Sequence, residues 1–229
     1  MTKDMTRGTP WKLIVQFALP IMAGNLLQQL YNTADTIIVG NFNGQQALSA
    51  VGSCASLTAL FTALAIGFSI GAGVLVSQYF GANRLEELRR YAASSIVLML
   101  LLGLLMSVIG LFSAELLLAR FLGTPQDLLP QATLYFTIYA AGLVFQFGYN
   151  IAAAILRALG DSKATLYFLL VSSILNVVLD LAFVAGLGLG VAGAAVATVI
   201  SQIASCVIGF AYMHRKYALL RFSLRELRL

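Results

Sequence analysis

LLQQLYNTADTIIVG, residues 26–40, and LYFLLVSSILNVVLDLAFVAGLGLG, residues 166–190, decide how this chain is read. Each is an apolar run holding one charged residue, Asp35 in the first and Asp180 in the second. An aspartate at the centre of a membrane helix costs about 2.5–3.5 kcal/mol on insertion scales. Residues that carry such a cost face a protein-lined cavity by default and mark an ion or substrate path. The two carboxylates therefore point to transport.

The surrounding composition supports a lipid setting. Of the 229 residues, 60% are hydrophobic and only 10% charged, against about a quarter charged in a soluble domain. Apolar stretches run over approximately 12–40, 47–79, 91–114, 131–157, 163–185 and 192–214. Each approaches or exceeds the roughly 20 residues that cross a hydrocarbon core, and the first two can tilt, bend or project beyond it. The expected fold is all-α and membrane-integral: a six-transmembrane-helix bundle over 1–214, with a basic amphipathic cytoplasmic tail or linker over 215–229. The connections carry breaker chemistry at Asn41-Phe-Asn-Gly44, Gly81-Ala-Asn83, Gly123-Thr-Pro125, Leu159-Gly-Asp-Ser162 and Gly186-Leu-Gly-Leu-Gly190.

Charge sets the orientation. With the N-terminus inside, the inner segments collect Lys3, Arg7, Lys12, Arg84, Arg89, Arg90, Arg157, Lys163, Arg215, Lys216, Arg221, Arg225 and Arg228, and the outer side receives only Arg120. The positive-inside rule then puts both termini in the cytoplasm. That bias accounts for the net charge of +5 without a nucleic-acid partner. The run from Trp11 is too long for a signal core and lacks a small-residue cleavage site. Cys54 and Cys206 fall inside apolar helices and read as small buried residues, not as a metal site or disulfide framework.

Helical phase, at about 100° per residue, gathers the polar residues into stripes. Asn25, Gln28, Gln29, Asn32, Asp35 and Thr36 share one face of the first helix. Tyr135, Tyr139, Gln146, Asn150 and Arg157 share a face of the fourth, and Ser172, Asn176 and Asp180 follow at i, i+4, i+8 on the fifth. In lipid, each such group needs a partner from a neighbouring helix or from water. Counting turns from the outer surface puts Asp35, Tyr139, Asn176, Asp180 and Thr198 at one depth, which predicts a common pocket open to the outside. Pro20 removes an amide bond to Gln16 and is expected to bend the first helix. Gly67-x-x-x-Gly71 predicts close helix packing. Gly188-Leu-Gly-Val-Ala-Gly193 matches a dinucleotide fingerprint only formally, because no strand or ribose-binding acid accompanies it.

Together these residues resemble the multidrug and toxic compound extrusion (MATE) transporters. Pro20 followed by Gln28-Gln-Leu-Tyr-Asn-Thr-Ala-Asp-Thr-Ile-Ile-Val-Gly40 is similar to their first helix, and Gln78-Tyr-Phe-Gly-Ala82 to their second-helix exit. Arg157-Ala-Leu-Gly-Asp-Ser-Lys163, Asn176-Val-Val-Leu-Asp180 and Gly190-Val-Ala-Gly-Ala-Ala-Val-Ala-Thr198 resemble the stretch from their fourth to their sixth helix. The resemblance implies that this is the amino-terminal lobe of a twelve-helix, two-lobe transporter. The missing carboxy-terminal lobe or a second copy would be its partner, with drugs or toxins as cargo and the bacterial inner (plasma) membrane as its location. It also implies that Asp35, Asn176, Asp180 and Thr198 form a Na⁺ or proton site, and that Gln28, Tyr31, Tyr139, Gln146 and Asn150 line the drug cavity.

The function so implied is cation-coupled antiport of amphipathic, often cationic, organic compounds, with no enzyme activity and no cofactor beyond the coupling Na⁺ or H⁺. A lipid-linked saccharide flippase would share the architecture, but its cavity needs several cationic residues, which this polar face lacks. An intramembrane aspartyl protease would also place two aspartates in the membrane. Its motifs look like Tyr-Asp and Gly-x-Gly-Asp, whereas Ala34 precedes Asp35 and Leu179 precedes Asp180 here. A non-transporting membrane scaffold would have no use for a polar site at one shared depth.

Overall fold

The computed structural model describes residues 9–221, with the backbone alone described at Pro10, Phe17 and Asn25. Lys3, Arg7 and the tail from Phe222 onward lie outside the described residues, as does the Asn25 side chain of the first polar stripe. Among the described residues the regular structure is entirely helical.

Pro10–Gly81 is helical throughout its 72 residues except at Gly44, whose φ of 81° and ψ of 178° leave the helix. A straight helix of that length would be about 108 Å long, more than three times the hydrocarbon thickness. Gly44 turns it into a hairpin of α1 (10–43) and α2 (45–81). Gln28 and Ile66 line one cavity, which a continuous helix would hold about 57 Å apart. Glycine alone takes this torsion without steric cost. The backbone stays helical through Pro20, so the break in this segment falls at Gly44.

The chain leaves α2 through Asn83, at φ 56°, into α3 (Leu85–Leu116), which a π-helical turn over Leu117–Phe121 extends. Helix α4 comes in two segments, Leu129–Ala141 and Leu143–Ala158, bent by 47°. The expectation of one regular helix over 131–157 is corrected accordingly. Gly142 is the joint: a Cβ there would lie 2.8 Å from Val199 and 2.9 Å from Gln202 on the sixth helix. Helix α5 (Ser162–Asp180) ends in a π-helical turn over Leu181–Gly186. The loop to α6 (Gly190–Lys216) turns at Gly188 and Gly190, both at positive φ. The formal fingerprint there is thus a tight turn between helices. A short 3₁₀ turn, Ala218–Leu220, follows α6 and buries Leu220. Helix α6 runs on to Lys216, two residues into the stretch 215–229 expected as a tail or linker.

Helix α4 is the central pillar. Phe136, Phe147, Ile151 and Ile155 are fully buried, and they join two core clusters, one toward each end of the bundle. Large apolar side chains such as Leu30, Phe68, Phe112 and Tyr167 cover the outside, a surface suited to hydrocarbon and to no aqueous setting. Close approach of helices occurs at Gly103, Gly110 and Gly148, but not at the Gly67–Gly71 pair. A Cβ on either of those two would meet nothing within 4 Å, which corrects the packing expected there. Period-four spacing says that two glycines share a face; it does not say that a partner faces them.

The two ends of the bundle differ in charge. At one, Asp161 holds Lys216 at 2.7 Å and Arg89 donates to the Arg221 carbonyl at 2.8 Å. At the other, Asn43 of the α1–α2 turn lies 4.0 Å from the position of a Cβ on Gly190 in the α5–α6 turn. The basic residues of alternate connections thus gather at one end, as the charge pattern requires.

Candidate functional site

The polar stripe of α1 and part of that of α4 meet at a cavity of about 750 Å³ between α1, α2, α4 and α6, while the α5 stripe lies outside it. Helix α1 contributes Gln28, Gln29, Tyr31, Asn32, Asp35 and Thr36, an amphipathic face whose opposite side carries Leu30 and Ile37 into lipid. Tyr135, Tyr139 and Gln146 enter from α4, Thr58 and Thr62 from α2, and Thr198 and Gln202 from α6. Asp35 is the sole charged residue in this lining among the described residues.

A ring of hydrogen bonds braces the α2–α4 wall. Tyr139 donates from its hydroxyl to Gln146 Oε1 at 3.0 Å, Gln146 Nε2 donates to Thr62 Oγ1 at 2.8 Å, and the Thr62 and Tyr139 hydroxyls lie 3.3 Å apart. The ring satisfies groups that would otherwise be costly to bury. Tyr31 sits beside Gln28, Tyr139, Asp35 and Asp180, and so connects the amide face of α1 to the acids.

Asp35 and Asp180 come close enough to interact directly, but their settings differ. Asp35, at 9% exposure, lines the cavity; Asp180, at 0%, does not. Asp35 Oδ1, both Asp180 oxygens and both Asn176 amide atoms are buried with no hydrogen-bond partner. Native structures leave few such atoms unpaired, and a group of them calls for a specific explanation. Thr198 donates to the Ala194 carbonyl at 3.0 Å, which leaves its lone pairs free to accept. Asp35, Asn176, Asp180 and Thr198 thus bear carboxylate, amide and hydroxyl oxygens and come from α1, α5 and α6.

The structure also separates residues that the phase argument joined. Asn150 donates to the Gln146 carbonyl at 2.9 Å and is absent from the cavity lining, which corrects its expected position there. Gln146, on the same segment and one turn before Asn150, does line the cavity, so the lining ends between the two. Three polar lining residues, Thr58, Thr62 and Gln202, carry no signal in the stripes above. Thr62 follows Thr58 by one turn on α2, and Gln202 follows Thr198 by one turn on α6; that i, i+4 repetition was the available signal.

A bundle of apolar helices around a polar cavity, with carboxylates buried beside it, is the architecture of a secondary-transporter lobe. The MatE family model matches residues 20–182, and the chain belongs to this family, the MATE transporters. It is 35% identical over 221 residues to the probable multidrug resistance protein YpnP of Bacillus subtilis, covering 96% of this chain and 49% of that protein. Identity to the multidrug export protein MepA of Staphylococcus saprophyticus is 26% over 222 residues, with 97% of this chain and 49% of that protein covered. The chain thus spans about half the length of the curated relatives it matches. Among solved structures, MATE in the bent conformation superposes with a TM-score of 0.90 at 31% identity, covering all of this chain and 52% of that one. The outward-facing conformation of a multidrug resistance MATE family transporter gives 0.88 at 30% identity, covering all of this chain and 51% of that one.

Proposed function

We propose that this chain forms one lobe of a cation-coupled multidrug antiporter that exports amphipathic, often cationic, organic compounds. The observation that carries the reading is the Asp35–Asp180 pair beside a polar cavity otherwise lined by amides, hydroxyls, phenols and aliphatics. Such a lining binds by shape and dispersed polar contacts and tolerates varied cargo. The names of YpnP, a probable multidrug resistance protein, and MepA, a multidrug export protein, support it.

In this reading the coupling cation is Na⁺ or H⁺, held by Asp35, Asn176, Asp180 and Thr198. Two buried carboxylates repel unless a cation or proton lies between them. Arrival of the ion draws α1 and α5 together and reshapes the face that carries Gln28 and Tyr31. Drug then dissociates as the ion binds. The opposing wall of the cavity comes from a second lobe, further along the polypeptide or from another copy, and export follows as the lobes rock against each other. The basic end of the bundle faces the cytoplasm of a bacterial cell.

A flippase for lipid-linked saccharides is the second reading. A MOP superfamily transporter of Pyrococcus furiosus, whose binding pocket of reverse polarity suggests a different function, superposes at a TM-score of 0.88 and 30% identity. Here the cavity lining holds one acid and no cationic side chain among the described residues, which favours cationic cargo.

Asp180→Asn in the complete transporter removes a charge at nearly constant volume. Drug efflux in a loaded-cell assay should fall at least about tenfold, the equivalent of 1.4 kcal/mol or more in the transport barrier. Equilibrium drug binding should change much less, because the cavity lining is intact. Efflux at the wild-type rate, with the wild-type ion dependence, in both Asp180→Asn and Asp35→Asn would reject the coupling role.

A further inference from the structure

Asp180 is fully buried and, unlike its neighbour Asp35, does not line the open cavity, yet the proposed coupling requires an ion to reach both acids. Beside the open cavity lies a second, narrower niche of about 20 Å³, lined by Tyr31, Ser172, Ser173, Asn176, Thr198, Ser201 and Gln202. That volume holds about one water-sized species. Tyr31, Thr198 and Gln202 line both spaces and are therefore the partition between them.

The niche is chemically unusual. Ser173, Asn176 and Ser201 are each more than nine-tenths buried, and Ser173 Oγ, Asn176 Oδ1, Ser201 Oγ and Gln202 Oε1 are buried without hydrogen-bond partners. Ser172 is different, since its hydroxyl donates to the Ser201 carbonyl at 3.0 Å. Four residues with an unpartnered, uncharged oxygen thus line a space of about one small particle, and one of them, Asn176, stands one helical turn before Asp180. A site of neutral oxygens binds a small monovalent cation, or a water that relays a proton, weakly enough to let it leave again. A carboxylate pair holds the same ion more tightly. The order of the two sites gives a route from loose to firm.

We infer that Ser173, Ser201 and Gln202 form an antechamber through which the coupling cation passes from the open cavity to Asp180, with Tyr31, Thr198 and Gln202 as its mouth. The inference rests on the coupling role of the acids. It adds to that role a distinct prediction: antechamber residues control passage, whereas the acids control occupancy.

Two measurements on the complete transporter separate these roles. Protection of Asp35 and Asp180 from dicyclohexylcarbodiimide, read by peptide mass, reports occupancy as Na⁺ is raised at fixed pH, or as pH is raised without Na⁺. Cation flux into proteoliposomes, by ²²Na⁺ or an entrapped pH dye, reports passage. Ser201→Ala and Gln202→Leu should each slow flux about tenfold, as loss of one hydrogen-bonding group on the route would. Their protection midpoints should stay within about twofold of wild type, a difference well below that of one lost hydrogen bond. Rising pH protects any carboxyl, because the reagent needs the protonated acid. Further protection by Na⁺ at fixed pH makes the passenger Na⁺, and no further protection makes it a proton; either supports the route. Wild-type flux in both variants, or midpoints that move in step with flux, overturns the antechamber. Should Gln202→Leu fail to elute as a folded species, Ser173→Ala takes its place with the same expected split. Absence of any protection in the wild-type protein would instead sink the coupling role of the acids, a different failure.

Discussion

Tyr139 shows how one hydroxyl can hold a cavity wall. It bonds to Gln146 and lies beside Thr62, and all three face the same cavity. Tyr139→Phe keeps the ring and its packing on Phe136 but leaves Gln146 Oε1 with no donor. An unsatisfied buried acceptor costs about 1–3 kcal/mol. Thermal unfolding in detergent should therefore show a lower Tm for Tyr139→Phe, and an unchanged Tm would mean that Gln146 finds another donor. At the same scale, identity alone does not assign a role. Asp35 and Asp180 are the same residue type in similar apolar runs, yet one lines the cavity and the other is sealed from it.

Helices in this bundle approach through missing side chains and are tied at their ends by polar ones. Gly148 on α4 faces Cys206 on α6, and a Cβ there would lie 2.7 Å from the Cys206 sulfur and 3.3 Å from Leu100. Gly148→Val should destabilise the lobe by about 1–3 kcal/mol through overpacking. Adding Cys206→Ala should recover part of that loss, and a double-mutant cycle with no coupling would contradict the contact. At the basic end, Asp161 caps α5 and accepts from Tyr212 at 2.9 Å, Lys216 at 2.7 Å and Tyr217 at 2.9 Å. Burial alone would raise the Asp161 pKa, but the bonds from Lys216, Tyr217 and Tyr212 outweigh it and hold the carboxyl below its ordinary value. A depressed pKa in the folded state contributes stability that is present above the unfolded pKa, about 3.9, and is lost as pH falls through the folded value. Between neutral pH and about pH 5, above that unfolded value, this contribution should stay constant. Below about pH 4 the wild type should lose stability that Asp161→Asn lacks at every pH. Parallel acid-unfolding curves for the two proteins would show that the clamp contributes nothing.

Across the whole molecule, sidedness is the property that a labelling experiment reads directly. Phe42 and Leu187 are exposed at the glycine-turn end, and Arg84 and Lys163 are exposed at the basic end. Single cysteines at these four positions, in a background with Cys54 and Cys206 replaced by alanine, should label from opposite sides of the membrane. Both native thiols are buried, so their replacement leaves the surface unchanged. Labelling of position 84 from outside in intact cells would overturn the inward placement of the basic end.

Composition, hydrophobic run length and breaker residues were sufficient for the helical membrane class, the six apolar spans and the places where they turn. These are local properties: a run of apolar residues partitions into lipid whatever surrounds it, and a glycine at positive φ ends a helix wherever it sits. The stripe on α1 was legible for the same reason, since helical phase belongs to one segment. What faced each stripe was not legible. Phase counting gives a face and not its extent, so it could not foresee that the cavity would take Gln146 and stop short of Asn150, one turn further along the same segment. It marks a small-residue face at Gly67 and Gly71 but cannot tell that the close contact falls at Gly148. Likewise it brings Asp35 and Asp180 to one depth without saying which of them meets the cavity. Depth and face belong to single helices; exposure and partnership arise only when several helices pack, and that packing is what the tertiary structure decided.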